Sequence, residues 1–238
     1  MNNVAIAALR LGRVDEAASL HAESLAAWRS LGNRAAAALS LQNVGHVERA
    51  RGNGDAARAA YREAAEIFTA LEDARGVAVS LTRLADLERD SGRFDDAIAH
   101  YEDALQRFMA LNDHLQVAQC MADYGSACRR AGRAREARSL LAESALIFRE
   151  VGDLPKAAEV LEDVAALAVE GGDPELGLQL GGAAAAMKRD LGLRSGRRGD
   201  IEIVMERARA AAGEAADAAW QRGCTMGFHE AVERAQVD

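Results

Sequence analysis

The sequence repeats itself every 40 residues without a gap. When the 238 residues are written in rows of 40, the twelfth position of the first five rows is always glycine: Gly12, Gly52, Gly92, Gly132 and Gly172. Five positions later the rows have Ala17, Ala57, Ala97, Ala137 and Gly177. A fixed period of this length is typical of repeat architectures, in which each unit buries its apolar face only against its neighbours.

Each 40-residue unit is predicted to form two helices joined by short turns. Strong helix formers dominate the segments between the glycines, and the chain has only 2 prolines. We expect the glycine at position twelve to end one helix in the left-handed conformation. We expect the residue at position 33 to cap the next helix, which concerns Asn33, Asp73, Asp113 and Asp153. The fold class is therefore all-α, a right-handed α-solenoid of antiparallel helix pairs with a diverged C-terminal cap.

Four columns of the repeat predict how the helices pack. Small residues at positions five and seventeen let neighbouring helices approach closely. Larger apolar side chains are expected to fill the space between the helices at position 28 (Trp28, Phe68, Phe108, Phe148) and position 31 (Leu31, Leu71, Leu111, Val151, Leu191). With aromatic residues at only 4%, this core must be built mainly from Ala, Leu and Val.

The spacing of these columns resembles the tetratricopeptide repeat family. The third row has the pattern at Leu84–Ala85, Gly92, Ala97, Tyr101 and Ala104. The resemblance covers residues 1–160, and this unit is six residues longer than the family's usual 34. It implies a superhelix whose first helix in each pair lines a concave groove, with protein–protein or peptide binding as the function.

The last part of the chain departs from the repeat. We assign residues 1–192 to the repeat array, with about five helix pairs, and residues 193–238 to capping helices of the same domain. A helix over 201–212 is expected to be capped by Asp200, and shorter helices follow around a glycine break at 223–227. Such a diverged end seals the core of a solenoid.

This C-terminal segment also resembles the end of actinobacterial LuxR-type regulators and related signal-transduction (STAND) ATPases. The resemblance lies in Ala218–Ala219–Trp220, then Gly223, then Glu230–Ala231–Val232. It implies that the chain is the sensor or partner-binding part of a bacterial transcriptional or signalling regulator. The phosphate-binding loop that such an ATPase domain requires does not occur in the sequence.

Charge and composition exclude several other classes. The formal net charge of −8 disfavours direct binding of nucleic acid, which needs a basic face. Three cysteines do not make a disulfide framework, the N-terminus has no basic region typical of a signal peptide, and no apolar run reaches the length of a membrane span. These features predict a cytoplasmic protein that does not bind membranes.

The candidate binding residues lie at the positions that the family resemblance assigns to the groove. The most informative are the position-nine arginines Arg49, Arg89 and Arg129, which could bind carboxylates of an acidic peptide or a small ligand. Alternatively, these arginines pair with Glu48, Glu88, Asp86 and Asp90 on a solvated face. The other candidates are Asn3, Asn43, His46, Arg83, Asp86, Ser126 and Arg130.

No residue pattern predicts catalysis, a metal site or a cofactor. His46 near Asp86 could form a base and its orienting group, but a single helical histidine is more often a packing or surface residue. The leading hypothesis is therefore a non-enzymatic module that binds a protein or peptide segment. The alternative is a sensor that encloses a small-molecule effector in the same groove.

Overall fold

The computed structural model describes residues 4, 8, 9, 11–193 and 199–236, and these residues form helices and turns without any strand. The prediction of an all-α fold is confirmed. The described chain divides into two compact units, Met1–Asn112 and Asp113–Asp238. The candidate residue Asn3 lies outside the described residues.

Nine described helices of 17 residues each begin 20 residues apart, which places the predicted helix pairs in register with the sequence rows. Unit 1 contains α1 (Val14–Ser30), α2 (Arg34–Ala50), α3 (Gly54–Ala70), α4 (Ala74–Asp90) and α5 (Phe94–Ala110). Unit 2 contains α6 (His114–Arg130), α7 (Ala134–Glu150), α8 (Leu154–Glu170) and α9 (Pro174–Asp190). Three shorter helices follow in unit 2, namely α10 (Gly199–Ala212), α11 (Ala216–Cys224) and α12 (Phe228–Gln236), with a 3-10 turn at Gly213–Ala215.

The turns form as the sequence predicts. Gly52, after α2, has a φ of +81°, which a side chain would strain. The Asp73 carboxylate accepts a hydrogen bond from the Gly76 backbone N–H at 2.8 Å and so caps α4. Glu72 and Asn112 take the left-handed conformation at positions where glycine stands in other rows, with φ values of 56° and 55°.

Within each unit, successive helices pack through the predicted small residues. Ala57, Ala97 and Ala137 are fully buried. The aromatic column is confirmed at Phe68, Phe108 and Phe148, which are buried. It is wrong at Trp28, which is 36% exposed. The prediction that position 31 belongs to the core is also wrong. Its residues stand at the helix C-caps, and 39–71% of the residue surface is exposed at Leu31, Leu71, Leu111 and Val151.

The C-terminal helices pack on the last helix pair of unit 2. Helix α10 contacts α8 and α9, and its residues Ile201 and Met205 are buried there. Helix α11 lies against α9. Two details correct the sequence prediction: Asp200 lies inside the first turn of α10 rather than capping it, and Gly223 lies inside α11 rather than at a break.

Candidate functional site

Unit 1 carries a cluster of charged side chains on α2 and α4, two helices that contact each other as well as α3 between them. His46 and Arg49 are three residues apart on α2, and Arg83, Asp86 and Arg89 follow the same spacing on α4. Residues three apart share a helix face. These five residues are called the polar cluster below.

Asp86 lies at the centre of the polar cluster. It is only 6% exposed, and its Oδ1 accepts a hydrogen bond of 2.7 Å from the hydroxyl of Tyr101 on α5. Three guanidinium groups surround the same carboxylate, with N–O distances of 3.3 Å to Arg89, 3.5 Å to Arg83 and 3.8 Å to Arg49. A buried carboxylate held by this many donors is fixed in position.

The position-nine arginines of unit 1 pair with carboxylates. Arg49 reaches from α2 to Asp90 on α4 and donates a hydrogen bond to it. Arg89 donates to the Tyr101 hydroxyl at 3.0 Å and lies 3.5 Å from Asp90. Of the four acids that the sequence offers as partners, Asp86 and Asp90 therefore take this role.

The other two acids pair elsewhere, so this part of the prediction is wrong. Glu48 pairs with Arg51 at 2.9 Å, and Glu88 pairs with Arg58 at 2.8 Å. Glu48 contacts Arg51 in the turn before α3. Glu88 contacts Arg58 on α3 and Arg93 in the turn after α4. The polar cluster together with Asp90 then holds three guanidinium groups against two carboxylates.

Solvent reaches one side of the polar cluster. Arg83 has 47% of its side chain exposed and makes one described ion pair, the one with Asp86. His46 is exposed as well. His46 and Arg49 line a cavity of about 370 Å³ whose other walls include Leu87 and Asp90. This part of unit 1 is therefore open to a partner.

The structure gives no support to a catalytic pair of His46 and Asp86. Partial burial, followed by the charges of Arg83 and Arg49, lowers the pKa of His46, and Asp86 opposes that effect. The lowered pKa favours the neutral imidazole. No described hydrogen bond joins it to Asp86, whose Oδ1 is held by Tyr101.

Arg129, the position-nine arginine of unit 2, has a different environment. Only 4% of its side chain is exposed. It donates hydrogen bonds to Glu170 on α8 at 2.6 Å and to Asp200 on α10 at 2.8 Å, and lies 3.9 Å from Asp163. Helix α10 covers this arginine, so the expectation that it faces an open groove does not hold here.

The remaining candidates are dispersed. Asn43 is half-buried on α2, and Arg130 is exposed at the end of α6. Ser126 lines a small cleft of about 60 Å³ in unit 2, beside Asp123 and Asp163.

Within the described part of the chain, no three His, Cys, Asp or Glu residues are grouped as metal ligands would be. Nor does any described helix have the length and apolar character needed to cross a bilayer.

Sequence reasoning missed two tyrosines that border the polar cluster. Tyr61 and Tyr101 stand at position 21 of their rows, where the first and fourth rows have His21 and Leu141. Both tyrosines are 0% exposed. The signal available in the sequence was a tyrosine at a position that the repeat places in the core, since a buried hydroxyl needs a partner.

Comparison with known proteins bears on the fold. The sequence model described as "Tetratricopeptide repeat" matches residues 1–70 and 76–145. Among solved structures, BtubC (BKLC) from P. vanneervenii aligns with a TM-score of 0.71 and 19% identity over 88% of this chain and 89% of that chain. A putative kinesin light chain from Podosopora anserina, with nearly identical TPR-like repeats, has a TM-score of 0.69 and 16% identity over 80% and 94%.

A Rap protein complexed with Competence and Sporulation Factor has a TM-score of 0.67 and 15% identity, covering 99% of this chain and 73% of that chain. At these identities the similarity concerns the fold. No curated protein sequence gives a significant match.

Proposed function

Because the chain belongs to the tetratricopeptide repeat family, we propose that it is a non-enzymatic module that binds a protein or peptide segment on the α2–α4 face of unit 1. The observation that carries this proposal is the polar cluster, in which Arg83 and His46 are exposed and His46 and Arg49 line a cavity. The 40-residue unit is, in this proposal, a lengthened form of the family's repeat.

The partner is expected to be acidic on the side that meets the polar cluster. Three guanidinium groups outnumber the two carboxylates here, although the whole chain has a formal charge of −8. Arg83 is the most available of the three arginines, because its single described ion pair to Asp86 is long and nearly half of its side chain is exposed. A planar guanidinium in this state can bind a carboxylate through two parallel hydrogen bonds.

The proposed context is a bacterial, cytoplasmic regulator, in which this chain is the sensor or partner-binding part. It rests on the C-terminal resemblance to LuxR-type regulators and signal-transduction ATPases. The Rap protein, whose structure contains a bound Competence and Sporulation Factor, is a parallel for a chain of this fold that binds a partner. We do not propose direct contact with nucleic acid.

A second candidate function is the binding of a small-molecule effector, and one observation favours it. Unit 2 contains a cavity of about 420 Å³ between α8, α9 and the turn before α12. Its walls are mainly apolar, with Met187, Met226 and Phe228 among them. A mostly apolar cavity of this volume suits a small ligand, although it lies away from the groove positions that the sequence suggested.

A peptide-binding assay tests the leading proposal. A library of acidic and neutral peptides is screened against the full chain, and the strongest acidic binder is measured against Arg83→Ala and against Arg62→Ala. Arg62 is an exposed arginine on α3 outside the polar cluster, so it is the matched control.

We expect Arg83→Ala to weaken binding and to reduce its salt dependence without changing the melting temperature. Equal binding by both variants and the wild type would exclude the α2–α4 face. Preferential binding of neutral peptides would exclude the acidic partner.

A further inference from the structure

Two buried tyrosines occupy equivalent positions in successive repeats of unit 1, but only one has its hydroxyl satisfied. Tyr101 on α5 donates to Asp86 Oδ1 at 2.7 Å and accepts from Arg89 Nη1 at 3.0 Å. The Tyr61 hydroxyl on α3 is equally buried and has no hydrogen-bond partner among the described residues. A buried hydroxyl without a partner is rare, because burial removes its hydrogen bonds to water and no hydrogen bond within the protein replaces them.

The repeat explains which partner is missing. Asp86 and Arg89 precede Tyr101 by 15 and 12 residues. The residues that precede Tyr61 by the same intervals are His46 and Arg49. The arginine is therefore retained in this repeat, whereas the carboxylate is replaced by an imidazole.

The Tyr61 ring is held in a fixed orientation beside the polar cluster. It packs on Gly45 of α2, where an added Cβ would come within 2.5 Å of the ring atom Cε1. Burial raises the pKa of the Tyr61 hydroxyl to about 12, while Arg49 and Arg83 act against that increase and Asp86 adds to it. The charges of the polar cluster therefore act on the Tyr61 hydroxyl.

We propose that Tyr61 and Arg49 form a subsite for one carboxylate of the partner, which takes in this repeat the position that Asp86 takes in the next. The Tyr61 hydroxyl donates to one carboxylate oxygen, and Arg49 exchanges Asp90 for the incoming group. His46 and Arg49 line the cavity of about 370 Å³ from which the carboxylate approaches. Tyr61 is not part of the cavity wall, so its buried hydroxyl is reached only once Arg49 has left Asp90. This inference rests on the proposed function, since it names a group that the partner must carry.

The first test compares the stability of two matched variants, Tyr61→Phe and Tyr101→Phe. Removing the Tyr101 hydroxyl leaves Asp86 and Arg89 without their shared partner, so we expect the melting temperature to fall. Removing the Tyr61 hydroxyl deletes an unsatisfied group and nothing else, so we expect the melting temperature to stay the same or rise. An equal fall for both variants would mean that Tyr61 has an internal acceptor in solution, and the proposal would be overturned.

The second test measures binding of a fluorescein-labelled hexaglutamate peptide to the full chain by fluorescence anisotropy. We expect Tyr61→Phe to weaken binding by about 10-fold or more, as for the loss of a hydrogen bond to a charged group. We expect Tyr124→Phe, a change in unit 2, to leave it unaltered. Unchanged binding by Tyr61→Phe would overturn this inference alone, whereas no binding of the peptide to the wild type would overturn the proposed acidic partner together with it.

Discussion

The substitution Gly223→Ala tests the packing of the C-terminal helices most directly. Gly223 is buried in α11, and a Cβ added there would lie 1.9 Å from the backbone oxygen of Gln179 on α9. The contact is reciprocal, because a Cβ on Gly182 of α9 would lie 2.4 Å from the backbone oxygen of Trp220. The two helices therefore touch backbone to backbone, and no flexible side chain can move aside.

Two effects of opposite sign determine the magnitude. Replacing a helical glycine by alanine usually stabilises a helix by up to about 1 kcal/mol. Forcing extra atoms into a packed contact typically costs about 1–3 kcal/mol, and here the obstacle is backbone, which places the cost at the upper end or beyond. We expect Gly223→Ala to lower the free energy of unfolding by about 2 kcal/mol, or the melting temperature by roughly 4–8 °C in a chain of this size.

Thermal unfolding followed by circular dichroism measures this effect, and Gly227→Ala is the matched control. Gly227 lies in the turn between α11 and α12, has an ordinary φ and has nothing within 4 Å of an added Cβ. We expect its melting temperature to match that of the wild type within about 2 °C. A Gly223→Ala variant as stable as the wild type, or more stable, would refute the close contact of α9 and α11.

Two other perturbations address one ionisable group in each unit. In a urea titration, Lys188→Ala should lower the free energy of unfolding by about 3–5 kcal/mol, because it leaves Glu162 buried without the ammonium group 2.8 Å away. The control Lys156→Ala breaks an exposed ion pair and should lower the free energy of unfolding by about 1 kcal/mol or less. The lowered pKa of His46 means that the folded chain binds fewer protons here than the unfolded chain, so stability should fall as the pH drops through the unfolded value of 6.5. His46→Gln should reduce the difference in stability between pH 7.5 and pH 5.5, and an unchanged difference would contradict the neutral imidazole.

The helices could be predicted from the sequence because their boundaries depend on local chemistry. Asp73 caps α4 through its own side chain, and Gly52 supplies a positive φ that few other residues tolerate. Both effects act within a few residues of the chain and recur in the first four rows. Glu72 shows that the turn is imposed by the helices on either side of it, since it takes the same conformation without being glycine.

The role of a glycine inside the C-terminal segment could not be predicted in the same way. Gly223 and Gly227 are four residues apart and look alike in the sequence, so both suggested a break. Only one of them lies in a turn, because the position of Gly223 is decided by how closely α9 approaches. That distance depends on residues about 40 positions away in the sequence.

The arginine column shows why equal positions in a repeat need not have equal roles. Arg49 pairs with Asp90 and Arg129 with Glu170, each 41 residues further along the chain. This regularity was present in the sequence, where position ten carries an acid in the third and fifth rows. The solvent exposure of Arg49 and Arg129 differs for a separate reason. Helix α10 covers Arg129, so that 4% of its side chain is exposed, whereas 27% of the Arg49 side chain is exposed.

The position that distinguishes the repeats of unit 1 is the sixth, and it explains why the candidate site lies where it does. Asp86 satisfies the tyrosine and the arginine of its own repeat, so that repeat needs no outside group. His46 cannot play this part at neutral pH, because an imidazole close to two guanidinium groups adds no negative charge. A single substitution at a fixed place in the repeat thus turns a self-contained ion cluster into one that can accept a carboxylate from a partner.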